Sequence, residues 1–556
     1  MTRREAILSL SAAAAAPAAA QVPPEAPAPV IARTDAGVES YLRSQITDPG
    51  PWLGSVPDEY LQHPAGTASG LIETMTAALI HPRSRYFNQN ELVTRIRLAA
   101  GFLERSQSPE GFIDLLSTNF NSPPDTGFVV HNVGTAAAIA KLYANDTVLG
   151  LLRPFLTKAG AGLSTGGIHT PNHRWVVSSA LAQINDVFPN PAYLQRINQW
   201  LAEGIDIDGD GQYTERSTVT YNTICDRAFT VLAAKLKRPE LLDPVRRNLR
   251  AMMYLLHPDG EVVTEVSKRQ DQFVRGTMAA YWFPVQYMAL HDSDGQFSTL
   301  ARQLAPDNAR LSTLMEYPEL TAALPPATPL PDDYEKWLPD IGLARVRRRD
   351  LDATLILQDN SRFFSARKGP LVINAVRFAT SFFGKGQFIP ASTDRRNGTY
   401  VSAQSLDAPY YQPLNPPQPV NFRNWSELRE KRRKTQICRL EQSVTTIERP
   451  GGFDVRIQAQ GSTSATPIGV PLAVEINLRE GGQLEGCRPA PHAEGAWILE
   501  KDFATYRMEG RTLRFGPGLA PHLLTQLRGA EAKLPGTSVY LTGYTPFDRT
   551  ISFVFS

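Results

Sequence analysis

The spacing of apolar residues changes once along this chain, and the change divides it. From Leu71 to Leu290 apolar side chains recur at three- and four-residue intervals; beyond a proline-rich stretch, Ala323–Pro331, they alternate. The first spacing lines one side of a helix and the second one face of a strand. Helices are predicted over Leu71–Ile80, Glu91–Ser106, Val129–Tyr143, Arg174–Ile184, Tyr193–Glu203, Cys225–Leu236, Leu241–Leu256 and Met278–Leu290, with no strand among them. Turns at Asp125-Thr126-Gly127, Thr170-Pro171-Asn172, Ser217-Thr218 and Arg275-Gly276 recur roughly every 45 to 55 residues, the length of a helix-turn-helix unit. Such hairpins cannot bury their apolar stripes alone, so the expected arrangement is an incomplete (α/α) toroid of helical hairpins with the turns along one rim. Strands are predicted over Thr354–Gln358, Leu371–Phe378, Asp454–Gln460, Leu472–Leu478, Ser538–Thr542 and Ile551–Phe555. With no helices between them they imply an antiparallel β-sandwich.

The expected organisation is a toroid over 36–322, a stiff linker over 323–335 and a sandwich over 336–556. A chain of 556 residues exceeds one ordinary core, which agrees with two large domains. Residues 1–20 read as a signal peptide: Arg3 and Arg4 precede a short apolar stretch and an alanine run ending at Ala20. The paired arginines resemble a twin-arginine export signal, and 21–35 reads as a Pro/Ala-rich spacer. The expectation is a secreted or periplasmic protein with no membrane span, since no later stretch offers about twenty uninterrupted apolar residues.

A net charge of +2 argues against a nucleic-acid binder with a basic surface, and an anionic ligand has to be met by a local cluster. Basic runs at 345–349 and 431–434 are such clusters, although most such runs are solvated faces. Three cysteines are too few for a disulfide framework; Cys438 and Cys487 share a domain and could pair after export, while Cys225 reads as a small buried residue.

Chemistry concentrates in two segments, Thr170–Trp175 (TPNHRW) and Ile205–Asn222 (IDIDGDGQYTERSTVTYN). They place an amide, a histidine, an arginine, carboxylates and a tyrosine at the entrances of two successive predicted helices. The layout, with Asn172-His173 at one entrance and Asp210-Gly211, Glu215, Ser217 and Tyr221 at the other, resembles the heparinase II/III-like polysaccharide lyases. It resembles more distantly the chondroitin AC and alginate lyases with an (α/α) toroid. The resemblance implies an Asn-His motif opening one inner helix and a DG-x-x-x-E-x-S segment, followed by a tyrosine, opening the next. Here the tyrosine stands one residue farther from the serine than that pattern has it.

The chemistry can be stated without the family. Eliminating a glycosidic bond at C4 of a uronic acid requires loss of the C5 proton, which is too weakly acidic until donors neutralise the neighbouring carboxylate. Asn172 suits that task, and Arg216 or Arg269 could assist with a planar fork. Tyr221 can donate to the leaving oxygen and, with positive charge nearby, serve as base; His173 is the other candidate base. Glu215 would orient an arginine or histidine. His131, Asn132, Trp175, Arg269 and Gln270 are candidate substrate contacts.

Plainer readings stand beside these. Asn172 could cap its helix, Tyr221 and Trp175 could be core aromatics, and the polar stretch 257–271 could be a solvated loop. Asp206, Asp208 and Asp210 have the early spacing of a calcium loop, but its twelfth position is Ser217, so any calcium would be structural. No cofactor is required by the elimination. The expected partner is an acidic polysaccharide. Two rivals remain: a hydrolase on the same toroid using two of Asp114, Asp125 and Glu215, and a glycan-binding protein without turnover.

Overall fold

The computed structural model describes residues 21–556 apart from 397, 464, 465 and 492; the expected signal peptide lies outside the described residues. Two compact units emerge. The first comprises Met1–Ile205, Ile224–Val245 and Ala279–Thr328, the second Asp206–Thr223, Arg246–Met278 and Pro329–Ser556.

The helices are α1 Ala28–Ser44, α2 Ala65–Ile80, α3 Asn90–Ser106, α4 Pro123–Leu142, α5 Asp146–Leu163, α6 His173–Val187, α7 Pro191–Ala202, α8 Tyr221–Leu236, α9 Asp243–Tyr254, α10 Trp282–His291, α11 Gly295–Asn308 and α12 Leu311–Glu316. In the first unit α2 packs on α4 and α4 on α6, with α3, α5 and α7 against them and α12 touching both α2 and α4. The paired helices differ in composition as inner and outer layers should. Every residue of α6 from His173 to Ile184 is buried, whereas α7 buries only Tyr193 and Ile197. A helix apolar or small on all sides belongs inside, and one with a single apolar stripe belongs outside.

Several expectations need correction. Helix α1 begins inside the expected spacer 21–35, with Pro27 preceding its first turn and Val30, Ile31 and Val38 buried. A short hairpin, β1 Ile113–Leu115 with β2 Asn119–Ser122, interrupts the helical half. The linker is not a free spacer: Pro325 O accepts from Ser298 Oγ (2.7 Å) and Thr328 N donates to Gly295 O (3.0 Å), so its first half is tied to α11. The segments Asp206–Thr223 and Arg246–Met278, expected in the toroid, belong by their contacts to the β-rich unit.

That unit contains β3 Asp333–Leu338, β4 Leu343–Arg348, β5 Leu351–Ile356, β6 Phe364–Lys368, β7 Leu371–Thr380, β8 Ser392–Arg396, β9 Thr399–Tyr411, α13 Trp425–Glu430, β10 Lys434–Arg449, β11 Gly452–Thr463, β12 Thr466–Ile468, β13 Pro471–Leu478, β14 Gln483–Glu485, β15 Arg488–Pro489, β16 Ala496–Ile498, β17 Ala504–Met508, β18 Arg511–Gly516, β19 Thr537–Tyr544 and β20 Phe547–Phe555. One sheet runs β15-β16-β19-β13-β7-β6-β5-β4-β3 and the other β14-β17-β18-β20-β11-β10-β9-β8, with β12 on β11. Pairing is antiparallel except for β16 with β19. Phe364, Phe378, Phe453, Phe515 and Phe553 fill the space between the sheets, the interdigitated core expected of a sandwich. Cys438 and Cys487 are separate thiols and do not pair.

The polar segment 257–277 is anchored to this sandwich by charge. Asp352 on β5 is fully buried, accepting from His257 Nδ1 (2.7 Å) and from the Arg345 guanidinium, whose Nε donates to Tyr254 O (3.1 Å). Burial pulls the His257 ring below its ordinary value despite the carboxylate beside it. Removing one member of such a cluster leaves an uncompensated buried charge, worth about 3–5 kcal/mol.

Candidate active site

The first unit supplies the Asn172 entrance. Asn172 occupies the N-cap position of α6 in helical geometry, and its side chain makes no cap bond; its Oδ1 accepts from Thr170 Oγ1 at 2.7 Å. Capping alone therefore does not account for the residue. His173, the first residue of α6, is buried with its ring edge-on to His169 (4.6 Å) and Phe128 (6.3 Å). Beside this turn lies a cavity of about 390 Å³ lined by residues 118–124 and 167–169. Phe120, in strand β2, lines it and is 68% exposed. Neither Phe120 nor His169 was picked out from the sequence. The usable signal was NFNSPPD, a turn-rich interruption in an otherwise helical half.

Two substrate-contact expectations are corrected here. Trp175 is fully buried, with its ring 4.7 Å from that of Phe229 and the Arg174 guanidinium above it. It offers no face to a sugar and is core. His131 is buried between α4 and α6, its Nε2 2.9 Å from Ser179 Oγ. Burial, with Arg227 adding to it, holds its pKa well below the ordinary histidine value, so the ring is neutral and structural. Asn132 donates to Ser69 Oγ (3.0 Å) and braces α4 against α2.

The second unit supplies the Tyr221 entrance, built by two segments far apart in sequence. Asp271, buried, accepts from Ser217 Oγ (3.0 Å), Val219 N (3.1 Å) and Ser267 Oγ (3.1 Å). Ser267 Oγ in turn accepts from Thr218 N (3.1 Å), and Lys268 N donates to Arg216 O (2.8 Å). Ser217 Oγ accepts from Tyr221 N (3.0 Å), which satisfies one of the free donors of the first turn of α8. Thus fixed, Tyr221 presents its phenol oxygen to Gln270 Nε2 at 2.9 Å, and the Arg269 guanidinium lies 4.9 Å from the ring centroid. Arg269 also reaches the buried Glu215 carboxylate at 3.8 Å. Glu215, Arg269, Gln270 and Tyr221 are thus brought together.

Arg216 is not among them. Its backbone takes a positive φ of 44° and its guanidinium donates to Asp340 O (2.7 Å) in the β3–β4 turn. The acidic loop makes structural bonds of its own, and among the described residues no group of three or more His, Cys, Asp or Glu is placed to hold a metal ion. The Asp210 carboxylate accepts from the backbone N–H groups of Asp340 (2.7 Å) and Ile341 (3.1 Å), and Asp208 Oδ1 accepts from Gln212 N (2.8 Å). Burial pushes both carboxyls up from their ordinary range. Gly211, at φ 78°, lies so near Arg247 O that an added Cβ would sit 2.6 Å from it, hence the glycine. The DG-x-x-x-E-x-S motif therefore acts here as a brace: Asp210 and Gly211 fix the loop, Glu215 holds Arg269, and Ser217 sets Tyr221.

No protein-family model matches the chain, and no curated protein matches it in sequence. Solved structures do match in shape. Heparinase III aligns over 99% of this chain and 88% of its own, with a TM-score of 0.54 and 10% identity. The chondroitin AC lyase of Streptomyces coelicolor A3, solved with chondroitin sulphate, aligns over 94% of this chain and 79% of its own (TM-score 0.53, 14% identity). It shares the fold of these lyases. A Paenibacillus xanthan lyase aligns over 95% of this chain at a TM-score of 0.55 and 10% identity, and the chain spans 56% of that longer protein. The toroid-plus-sandwich architecture read from the change of period is thereby established, while at such identities the likeness extends to fold alone.

Proposed function

We propose that the chain is an exported polysaccharide lyase that cleaves a uronic-acid-containing glycan by β-elimination. The observation that carries this reading is the environment of Tyr221: a phenol at a helix entrance, bonded to Gln270, flanked by Arg269 and braced by the Ser217–Asp271 pair. It stands in a fold shared with several polysaccharide lyases.

In the proposed reaction Tyr221 acts as its phenolate: the C5 proton passes to the phenolate oxygen, the electron pair forms the C4–C5 double bond, and the C4–O bond breaks. The leaving oxygen takes its proton from the phenol so formed, which restores the phenolate, so atoms and charge balance without water or a cofactor. Arg269 supplies positive charge beside the phenol, and Glu215 orients it. In the first unit, the Asn172 amide has the chemistry to offset a carboxylate's charge without a counter-ion, and His173 is the alternative base. Phe120 is the proposed stacking surface for a sugar ring. Export is supported by the charged, apolar and small-residue pattern of 1–20, and no described helix is long and apolar enough to cross a membrane.

The test is a panel of acidic polysaccharides assayed for the ultraviolet absorbance of an unsaturated uronate. Gain on at least one polymer, abolished in Tyr221→Phe, is expected. New reducing ends with no absorbance gain would favour the hydrolase reading. The carboxylates that reading needs already have local duties: Asp114 accepts from Asn121 N (2.6 Å), Asp125 from Asn119 Nδ2 (3.0 Å) and Ser122 Oγ, and Glu215 pairs with Arg269.

A further inference from the structure

Between β9 and β10 the chain makes a long excursion, residues 412–433, whose surface combines aromatic rings with positive charge. Phe422 is 89% exposed and Trp425, the first residue of α13, is 46% exposed. Each ring in this region has a guanidinium beside it: Arg423 lies 5.4 Å from the Phe422 centroid, Arg432 5.2 Å from Trp425, and Arg429 5.8 Å from Tyr411. The surface is continuous, because Tyr411 pairs with Lys434 across the strands and Arg432 donates to Gln412 O at 3.1 Å. From Phe422 to Lys434 six basic residues stand against two acidic ones, in a chain whose net charge is +2. Both acidic residues are taken up, Glu427 by Lys431 and Glu430 by Arg429 and Lys434. Arg423 and Arg433 have no carboxylate partner among the described residues.

We infer that this surface is a second binding site for an acidic polysaccharide, on the sandwich and separate from the residues assigned to catalysis. The inference rests on the reading of the substrate as an acidic glycan. Flat rings pack against the apolar faces of sugars, and adjacent guanidinium forks pair with carboxylate or sulfate groups. Charge complementarity selects this occupant over a second copy of the chain, since an isologous contact would set the basic cluster against itself. It is also preferred to a lipid surface, because α13 buries Leu428 and exposes Glu427, Arg429 and Glu430 beside Trp425, too charged a helix surface to insert.

Affinity electrophoresis of the full chain through gels containing polygalacturonate, chondroitin sulfate or neutral dextran tests this. Two surface variants serve, Phe422→Ala with Trp425→Ala, and Arg423→Gln with Arg432→Gln and Arg433→Gln. Retardation by an acidic polymer but not by dextran is expected, weakened roughly tenfold in either variant, and reduced by salt in the wild type. Tyr221→Phe should keep full retardation while losing turnover. Equal retardation of variants and wild type would overturn the inference, as would retardation by dextran. So would a dimer in sizing that the aromatic variant breaks, or capture by phosphatidylserine vesicles without retention on any polymer. Ultraviolet gain with unaltered variant retention sinks this inference alone, whereas specific retention without ultraviolet gain supports it and counts against the lyase reading.

Discussion

The two helix entrances carry comparable chemistry but are held in different ways. Around Asn172 the support is a packed helix and its own turn: Thr170 two residues earlier, His169 beside His173, Phe128 of α4 against the same ring, and an α6 buried along most of its length. Around Tyr221 it is remote, because Asp271, Ser267, Gln270 and Arg269 come from a segment some fifty positions later and Asp340 from the sandwich. An entrance held by a packed helix depends on that helix; one held by a polar clamp depends on each hydrogen bond. Damage to these supports should therefore register as lost stability at the first and as lost turnover at the second.

The strongest challenge to this contrast is Tyr221→Phe. It removes one hydroxyl whose bond is to the exposed Gln270, so the thermal midpoint should stay near wild type while kcat falls about 10³-fold. A large loss of stability would make Tyr221 a structural residue. Next comes Asp271→Ala, which removes the acceptor of three donors without touching the phenol. A fall of roughly 10²-fold in kcat with little change in KM is expected, together with about 1–3 kcal/mol of stability. Partial rescue by Asp271→Asn would identify Asp271 as a positioning residue. At the other entrance, Trp175→Ala should cost about 3–5 kcal/mol with kcat and KM near normal in the fraction that folds. Phe120→Ala should do the reverse, raising KM about tenfold with stability unchanged.

The smallest expected effect concerns pH. The pKa of buried His131 is depressed in the folded protein, so the unfolded chain binds its proton more readily. The stability from its neutral form is complete above the ordinary value of about 6.5 and declines as pH falls below it. Thermal midpoints measured from about pH 7 down to pH 5 should fall less steeply for His131→Gln than for wild type. An identical slope would mean that His131 does not titrate in this way.

These contrasts also mark where the sequence was legible. Helical and strand periods are local properties, so α2, α3, α6 and α8 and strands β7, β11, β13 and β20 could be read directly. Helix α5 was passed over because Pro154 and its glycines mask the stripe, and α1 because a proline-rich stretch precedes it. Asn172 and Tyr221 announced themselves as polar residues at helix entrances. Asp271 did not, because its importance comes from three donors that only folding brings to it. Arg216 and Arg269 are indistinguishable in a sequence; a positive φ turns one toward Asp340, while the other lies over Tyr221. Likewise Trp175 and Phe120 are both aromatics near turns, and only burial separates core from surface.

The central claim is that Tyr221 drives an elimination, and the mass of the new non-reducing end tests it most directly. With the polymer that supports turnover, products should lack one water relative to hydrolytic fragments and absorb in the ultraviolet, and Tyr221→Phe should yield neither signal. Saturated products carrying the added water, or unsaturated ones formed at full rate by that variant, would contradict the account.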